Sequence, residues 1–172
     1  MTDVVDSAWP AVELDPVRRL KVIASAARRP AVAERHLDAP LADVWRVAAD
    51  LEGELPGIVG GLRSFTRTGA VAAPAADGPG GERFTALAVS SLRHRERFDV
   101  VLRPGWCLMQ SRLLVGGMAA VEEDSGTRFA MMYAFRFPGG GLLRGFGRLG
   151  AAARSRAMLD RLERRVAELR AG

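Results

Sequence analysis

The strongest periodicity in the chain lies near its C-terminal end, where Leu159, Leu162, Val166 and Leu169 recur at 3-4-3 spacing while Asp160 and Arg164 stand four apart on another face. That is the pattern of a long amphipathic helix with one apolar stripe. Upstream the period falls to two. Between Leu92 and Arg103, the residues Arg93, Arg95, Arg97, Asp99, Val101 and Arg103 alternate with Leu92, His94, Glu96, Phe98, Val100 and Leu102. Successive side chains of a strand point to opposite faces, so the first set belongs in water and the second on a covered face. This register commits His94 and Glu96 to the covered side. In the segment from Thr127, Arg128 and Arg136 mark an outer face, leaving Phe129, Met131, Tyr133, Phe135 and Phe137 inward. In the segment from Trp106, Gln110 and Arg112 suggest the outer face, leaving Cys107, Met109, Ser111, Leu113 and Val115 inward.

The remaining elements follow from start and stop signals. Asp15-Pro16 opens a helix, with the carboxylate at the N-cap and proline at the first helical position. Val17, Leu20, Ile23, Ala24 and Ala27 form its apolar face, Arg18, Arg19, Lys21 and Arg28 its basic one, and Pro30 ends it. Strands are expected at 31–38, 62–68, 82–90, 92–103, 106–115, 117–123 and 127–137. A short helix is expected from Leu41 to Leu51 and a broken helical turn over 54–61. Turns are expected at Arg103-Pro-Gly105 and Asp124-Ser-Gly126, and loops at 74–81 and 139–141. Residues 1–30 read as an extension and 31–172 as one domain. The economical packing of seven strands, two short helices after the first strand, and a long last helix is an α+β fold in which one curved antiparallel sheet closes over that helix.

Composition narrows the function classes. The chain has 172 residues, 48% of them hydrophobic, enough for one domain with a substantial core. No apolar run reaches a bilayer's width and the N-terminal residues lack a secretory plan, so a cytoplasmic location is expected. Cys107 is the only cysteine, which excludes an internal disulfide and a multi-cysteine metal site. The net charge is +5, and of 25 basic residues only Lys21 is lysine. Such arginine bias fits the codon usage of a GC-rich, bacterial genome. With 6% aromatic residues and one tyrosine, the chain offers little for base stacking, and a nucleic-acid partner is not expected. The basic helix at 16–29 leaves two options, docking on a membrane surface or acidic partner, or packing on its own domain or on a second copy in a homodimer.

Arg35-His-Leu-Asp-Ala-Pro40 with Val44-Trp45 and Asp50, Gly126-Thr-Arg128 at the last hairpin, and the Leu159–Glu168 helix together resemble the START-like superfamily, also called SRPBCC, over residues 31 to 170. The group includes polyketide cyclases and dehydrases, lipid-transfer domains and the birch pollen allergen. The resemblance implies a helix-grip fold with an internal cavity and specifies no reaction. Leu55-Pro56-Gly57 stands where the group usually has a tryptophan-proline step.

The expected function is therefore binding, transport or sequestration of a hydrophobic small molecule such as a lipid, polyketide or aromatic metabolite, with no cofactor and no metal. The expected cavity residues are Phe98, Val100, Cys107, Met109, Ser111, Leu113, Phe129, Met131, Phe135 and Phe146. The alternatives are an enzyme of the cyclase, aromatase or dehydratase type, in which His94, Glu96 and Tyr133 would move protons, and a partner-binding module with a vestigial cavity. His94-x-Glu96 echoes a zinc deaminase motif without its paired cysteines. Gly145-Phe-Gly147-Arg-Leu-Gly150 spells the dinucleotide fingerprint, but no strand directly precedes it and no second parallel strand follows. The six glycines between Gly139 and Gly150 suit a pliable segment at the cavity mouth.

Overall fold

A computed structural model describes residues 14–71, 81–136 and 146–172, with the side chains of 146–149 left out. The elements run α1 (Pro16–Ala26), β1 (Ala31–Leu37), α2 (Leu41–Ala48), α3 (Leu55–Ile58), β2 (Leu62–Val71), β3 (Glu82–Ser90), β4 (Arg95–Arg103), β5 (Trp106–Gln110), β6 (Leu114–Glu123), β7 (Gly126–Phe135) and α4 (Phe146–Ala171). The seven strands form one antiparallel sheet in the order β1-β7-β6-β5-β4-β3-β2. This is the expected helix-grip arrangement of a curved sheet, two short helices after the first strand and a long C-terminal helix.

The apolar stripe of α4 explains its place. Met158, Leu159, Leu162 and Val166 are buried against the inner face of the sheet, in one core with Phe65, Phe84, Phe98, Val100, Cys107, Met118, Phe129 and Met131. The helices α2 and α3 close one side of that core with Val44, Val47, Leu51, Leu55 and Ile58. Ion pairs fix the position of α4 at its exposed margins. Arg35 of β1 meets Asp160 at 2.7 Å and Glu163 at 2.8 Å, and Arg165 grips Glu54, next to α3, through two nitrogens at 2.8 to 2.9 Å.

The outer face of the sheet is where the extension goes. Asp15 caps α1 by accepting the N–H of Arg18 at 3.0 Å. Val17, Leu20 and Ala24 are buried against Trp106, Ala119, Ala130, Met132 and Ala134, a second core on the opposite side of the sheet from α4. Lys21 pairs with Glu34 of β1, and the Arg19 guanidinium lies 5.3 Å from the Trp106 ring. The helix thus packs on its own domain, and its apolar face is not available to a membrane.

Two turns fall elsewhere than expected, β2 runs on to Val71 and β7 ends at Phe135. The break expected near Gly116 falls at 111–113, where the Ser111 hydroxyl accepts the N–H groups of Leu113 (3.2 Å) and Leu114 (3.0 Å) and folds the chain back. Gly116 and Gly117 are strand residues, paired with Met109 and Leu108. Gly117 has a packing reason, since a Cβ there would lie 2.7 Å from Leu20 Cδ1 of α1. The strand expected from Leu92 begins instead at Arg95. Ser91 to Arg93 make a three-residue hairpin loop with Arg93 in the left-handed region at φ 63°. Its closing bonds run from Ser90 N to His94 O at 2.9 Å and from Arg93 N to Ser90 O at 2.9 Å. The turn at Gly105 forms as expected with φ 70°, and a Cβ there would stand 2.8 Å from the carbonyl oxygen of Ala120. Phe137 and most of the glycine-rich segment, 137–145, lie outside the described residues, as does most of the loop at 74–81. Residues 146–150 are helical backbone at the start of α4.

Candidate functional site

Between the concave face and α4 lie the side chains that strand parity turns inward, packed as one apolar core. On β3 these are Phe84, Ala86 and Ala88, on β4 Phe98 and Val100, on β5 Cys107 and the half-buried Met109, on β6 Met118 and Ala120, and on β7 Phe129 and Met131. Met158 and Leu162 face them from α4. Aromatic rings and unbranched thioethers dominate this wall, and methionine adapts its shape to irregular neighbours at little cost. Phe65 and Phe98 pack with ring centroids 5.9 Å apart.

One polar cluster stands at the end of the sheet formed by the β3–β4 and β5–β6 turns. Glu96, the first inward position of β4, keeps 17% of its side chain exposed. It lies 3.3 Å from His94 Nε2 and accepts the Leu113 N–H at 3.2 Å, beside the Ser111 hydroxyl, which donates to the Leu114 carbonyl at 3.2 Å. Partial burial acts to raise the Glu96 pKa, but Ser111, the Leu113 N–H and His94 together outweigh it and hold the carboxyl below the usual glutamate range. Glu96 is therefore a carboxylate at neutral pH.

The acid-base candidates do not converge. His94 keeps contact with Glu96, at 3.3 Å, but is not enclosed as its parity suggested. It precedes the strand, on the hairpin turn, and its side chain is 61% exposed. Tyr133 is half-buried and donates to the Ala151 carbonyl of α4 at 3.4 Å. It belongs to β7, three strand spacings from β4, or about 14 Å of sheet at the usual separation. Cys107 is fully buried on β5, and burial pushes its thiol up to about 12, which removes it as a nucleophile. Among the described residues no three histidine, cysteine or acidic side chains gather as a metal-ligand set.

Of the expected cavity residues, Phe98, Val100, Cys107, Phe129 and Met131 lie in the inner core, with Met109 packed at its margin. Ser111 is buried in the turn rather than on a strand, and Leu113 sits in the same turn, half-buried. Because the chain reverses there, parity restarts. Leu114 takes the inward place, and Val115 packs on the outer core beneath α1. Phe135 ends β7 with 54% of its surface exposed, its ring edge-on to Tyr133 at 6.2 Å. The Phe146 side chain lies outside the described residues. The helical wall contributed by Leu51, Leu55, Ile58 and Met158 was not anticipated as lining, although the apolar positions of those segments were visible.

Two concavities are found among the described residues, and both lie away from the inner face. One of about 450 Å³ is bounded by Thr68, Gly69, Thr85, Leu87 and Arg97 on the outer side of β2 to β4. The other, of about 340 Å³, runs between α3 and α4 beside Glu54, Gly57, Arg161, Arg164 and Arg165.

No protein-family model matches the chain, and no curated protein matches it in sequence. Solved structures do match. The 18 kDa protein CC1736 of Caulobacter crescentus superposes with a TM-score of 0.66 at 15% identity, over 84% of this chain and 100% of that one. TTHA0849 of Thermus thermophilus gives a TM-score of 0.56 at 22% identity, over 81% of this chain and 98% of that one. Ara h 8.0201, of the birch-pollen-allergen type, gives 0.52 at 12% identity, over 81% and 98%. At these identities the likeness shows the fold. The chain has the START-like helix-grip fold that the resemblance of residues 31 to 170 implied.

Proposed function

We propose that this helix-grip domain binds an apolar small molecule, of the lipid, polyketide or aromatic metabolite class, between its concave face and α4, for transport or sequestration. The observation that carries the reading is the composition of that wall. Phenylalanine, methionine and alanine side chains line the sheet, Met158 and aliphatic side chains line the helices, and the charged groups stand at the margins, Glu96 with Ser111 at one end and the Arg67 guanidinium 3.8 Å from the Phe84 ring. An apolar enclosure with few polar groups is the usual plan of a ligand site. The shared fold with Ara h 8.0201 is in keeping with it.

A cyclase- or dehydratase-type reaction would need an acid and a base facing the same enclosed substrate, with proton affinities near the working pH. Here Glu96 is held as a weak base, His94 stands mostly in solvent and Tyr133 is turned to α4. Binding without turnover is the better-supported reading.

The test is a titration with an apolar fluorescent probe such as anilinonaphthalene sulfonate, alongside mass spectrometry of solvent extracts of the natively purified protein. Saturable binding is expected, and it should be lost in Val100→Trp, which fills the interior from the middle of β4. No binding by the wild type and an empty extract would overturn the reading.

A further inference from the structure

The end of the sheet that carries Glu96 also carries an excess of positive charge. Four segments meet there. Ser91 of the β3–β4 turn donates its N–H to Gly61 O at 2.8 Å, which seats the turn beside the start of β2. Glu96 holds Leu113, which ties β4 to the β5–β6 turn. Arg136, just past β7, donates from its backbone to Leu113 O at 2.8 Å and from its side chain to Ser111 O at 3.1 Å. These segments bring Arg63, Arg93, Arg95, Arg112 and Arg136 to one rim, all of them exposed, against two carboxylates, the half-buried Glu96 and, on β4 opposite Gln110, Asp99. The Arg136 guanidinium spends its hydrogen bonds on neutral oxygens, those of Ser111 and Gln110, which leaves its charge uncompensated among the described residues.

The same rim exposes two large apolar side chains. Leu92, at the tip of the β3–β4 turn, has 90% of its surface in water, and Phe135 has 54%. A leucine so exposed between arginines gains nothing from the fold. It gains from a phase that offers anions at its surface and hydrocarbon just beneath.

We infer that this rim is a docking surface for an anionic lipid bilayer, with the arginines on the lipid phosphates and Leu92 and Phe135 entering the headgroup boundary. A nucleic-acid backbone would satisfy the arginines and leave both apolar side chains in water. The basic helix α1 is not the membrane element, because its apolar face is buried against the sheet. The surface lies at the end of the interior proposed above to hold an apolar ligand, and docking there would place that interior against the phase from which such a ligand is drawn. The inference rests on exposed residues, and its test needs no bound ligand, so its failure and that of the ligand-binding reading are separable.

The test is co-sedimentation of the full chain with vesicles of phosphatidylcholine alone and of phosphatidylcholine mixed with phosphatidylglycerol. Binding is expected to the mixed vesicles only, weakening as salt is raised. The triple variant Arg63→Gln/Arg95→Gln/Arg112→Gln should lower the partition coefficient roughly a hundredfold, about fivefold for each arginine. Leu92→Ser alone should lower it roughly tenfold, as expected for an inserted leucine. Arg18→Gln on α1 combined with Arg28→Gln just past its end should leave it nearly unchanged. All the substituted residues are exposed, so thermal unfolding should match the wild type. Equal binding to neutral vesicles, no binding to either, or binding that survives Leu92→Ser intact would overturn the proposal, the last outcome marking a general polyanion site such as one for nucleic acid.

Discussion

Leu20 of α1 stands over Gly117 of β6 so closely that a Cβ on the glycine would lie 2.7 Å from the leucine Cδ1. The contact decides how the N-terminal extension relates to the domain. A sheet face presenting Ala119, Ala130, Met132 and Ala134 beside a glycine is shaped to receive a helix, and α1 lies in that depression. Gly117→Val should therefore lift α1 and destabilise the protein by about 1 to 3 kcal/mol, the usual cost of overpacking. Denaturant unfolding followed by tryptophan fluorescence reads the change, since Trp106 lies beneath the same helix. Leu20→Ala in the Gly117→Val background should cost less than it does alone. Strict additivity would show that the two side chains do not compete for one space.

On the opposite face, Leu162 is 1% exposed in the centre of the α4 stripe, whereas Leu169, the next position but one in the same pattern, is 36% exposed. Leu162→Ala should cost about 2 to 5 kcal/mol. Leu169→Ala should stay within about 0.5 kcal/mol. Equilibrium denaturation of the two variants side by side checks this, and similar losses would mean that the stripe is buried to its end.

Much of this architecture was legible because α4, β4 and β7 each bury one face and leave the other in water, which writes a period into the sequence. Periodicity fails where a side chain or a neighbouring element sets the geometry instead. Ser111 folds the chain through its hydroxyl, a signal easily outweighed on paper by the adjacent glycines Gly116 and Gly117. Those glycines answer to α1, a contact with no local sequence mark. The misplaced turn moved Leu113 and Val115 off the inner face, and the early start assigned to β4 carried His94 inward with it. Residue types therefore identified the polar pair His94–Glu96, but only the turn geometry shows that one member lies in solvent.

Cys107 is the one thiol, and burial raises its pKa to about 12. At neutral pH it should resist Ellman's reagent in the folded protein and react at once in denaturant. The labelling rate, measured as a function of denaturant, should follow global unfolding, because Cys107 is paired on both sides in the middle of the sheet. Rapid labelling without denaturant would mean that β5 opens locally or that the interior admits solutes freely.

Glu96 supplies the sharpest pH dependence to be expected of the site. Its folded-state pKa is depressed, so its contribution to stability is fully present above the ordinary glutamate value and is lost as pH falls through the folded value. Wild type and Glu96→Gln should thus differ most near about pH 7 and converge toward about pH 3, on either side of the ordinary value near 4.3. Among the groups that lower the pKa, Ser111 and the Leu113 N–H come before His94, whose side chain is mostly in water. His94→Gln should then leave most of the pH-dependent difference in place, while Ser111→Ala should reduce it. Urea unfolding midpoints across that pH range measure all four proteins. If His94→Gln abolished the difference and Ser111→Ala left it intact, Glu96 would be governed by the imidazole. The pair would then regain its standing as acid-base machinery, against the reading of Glu96 as a carboxylate fixed by a turn.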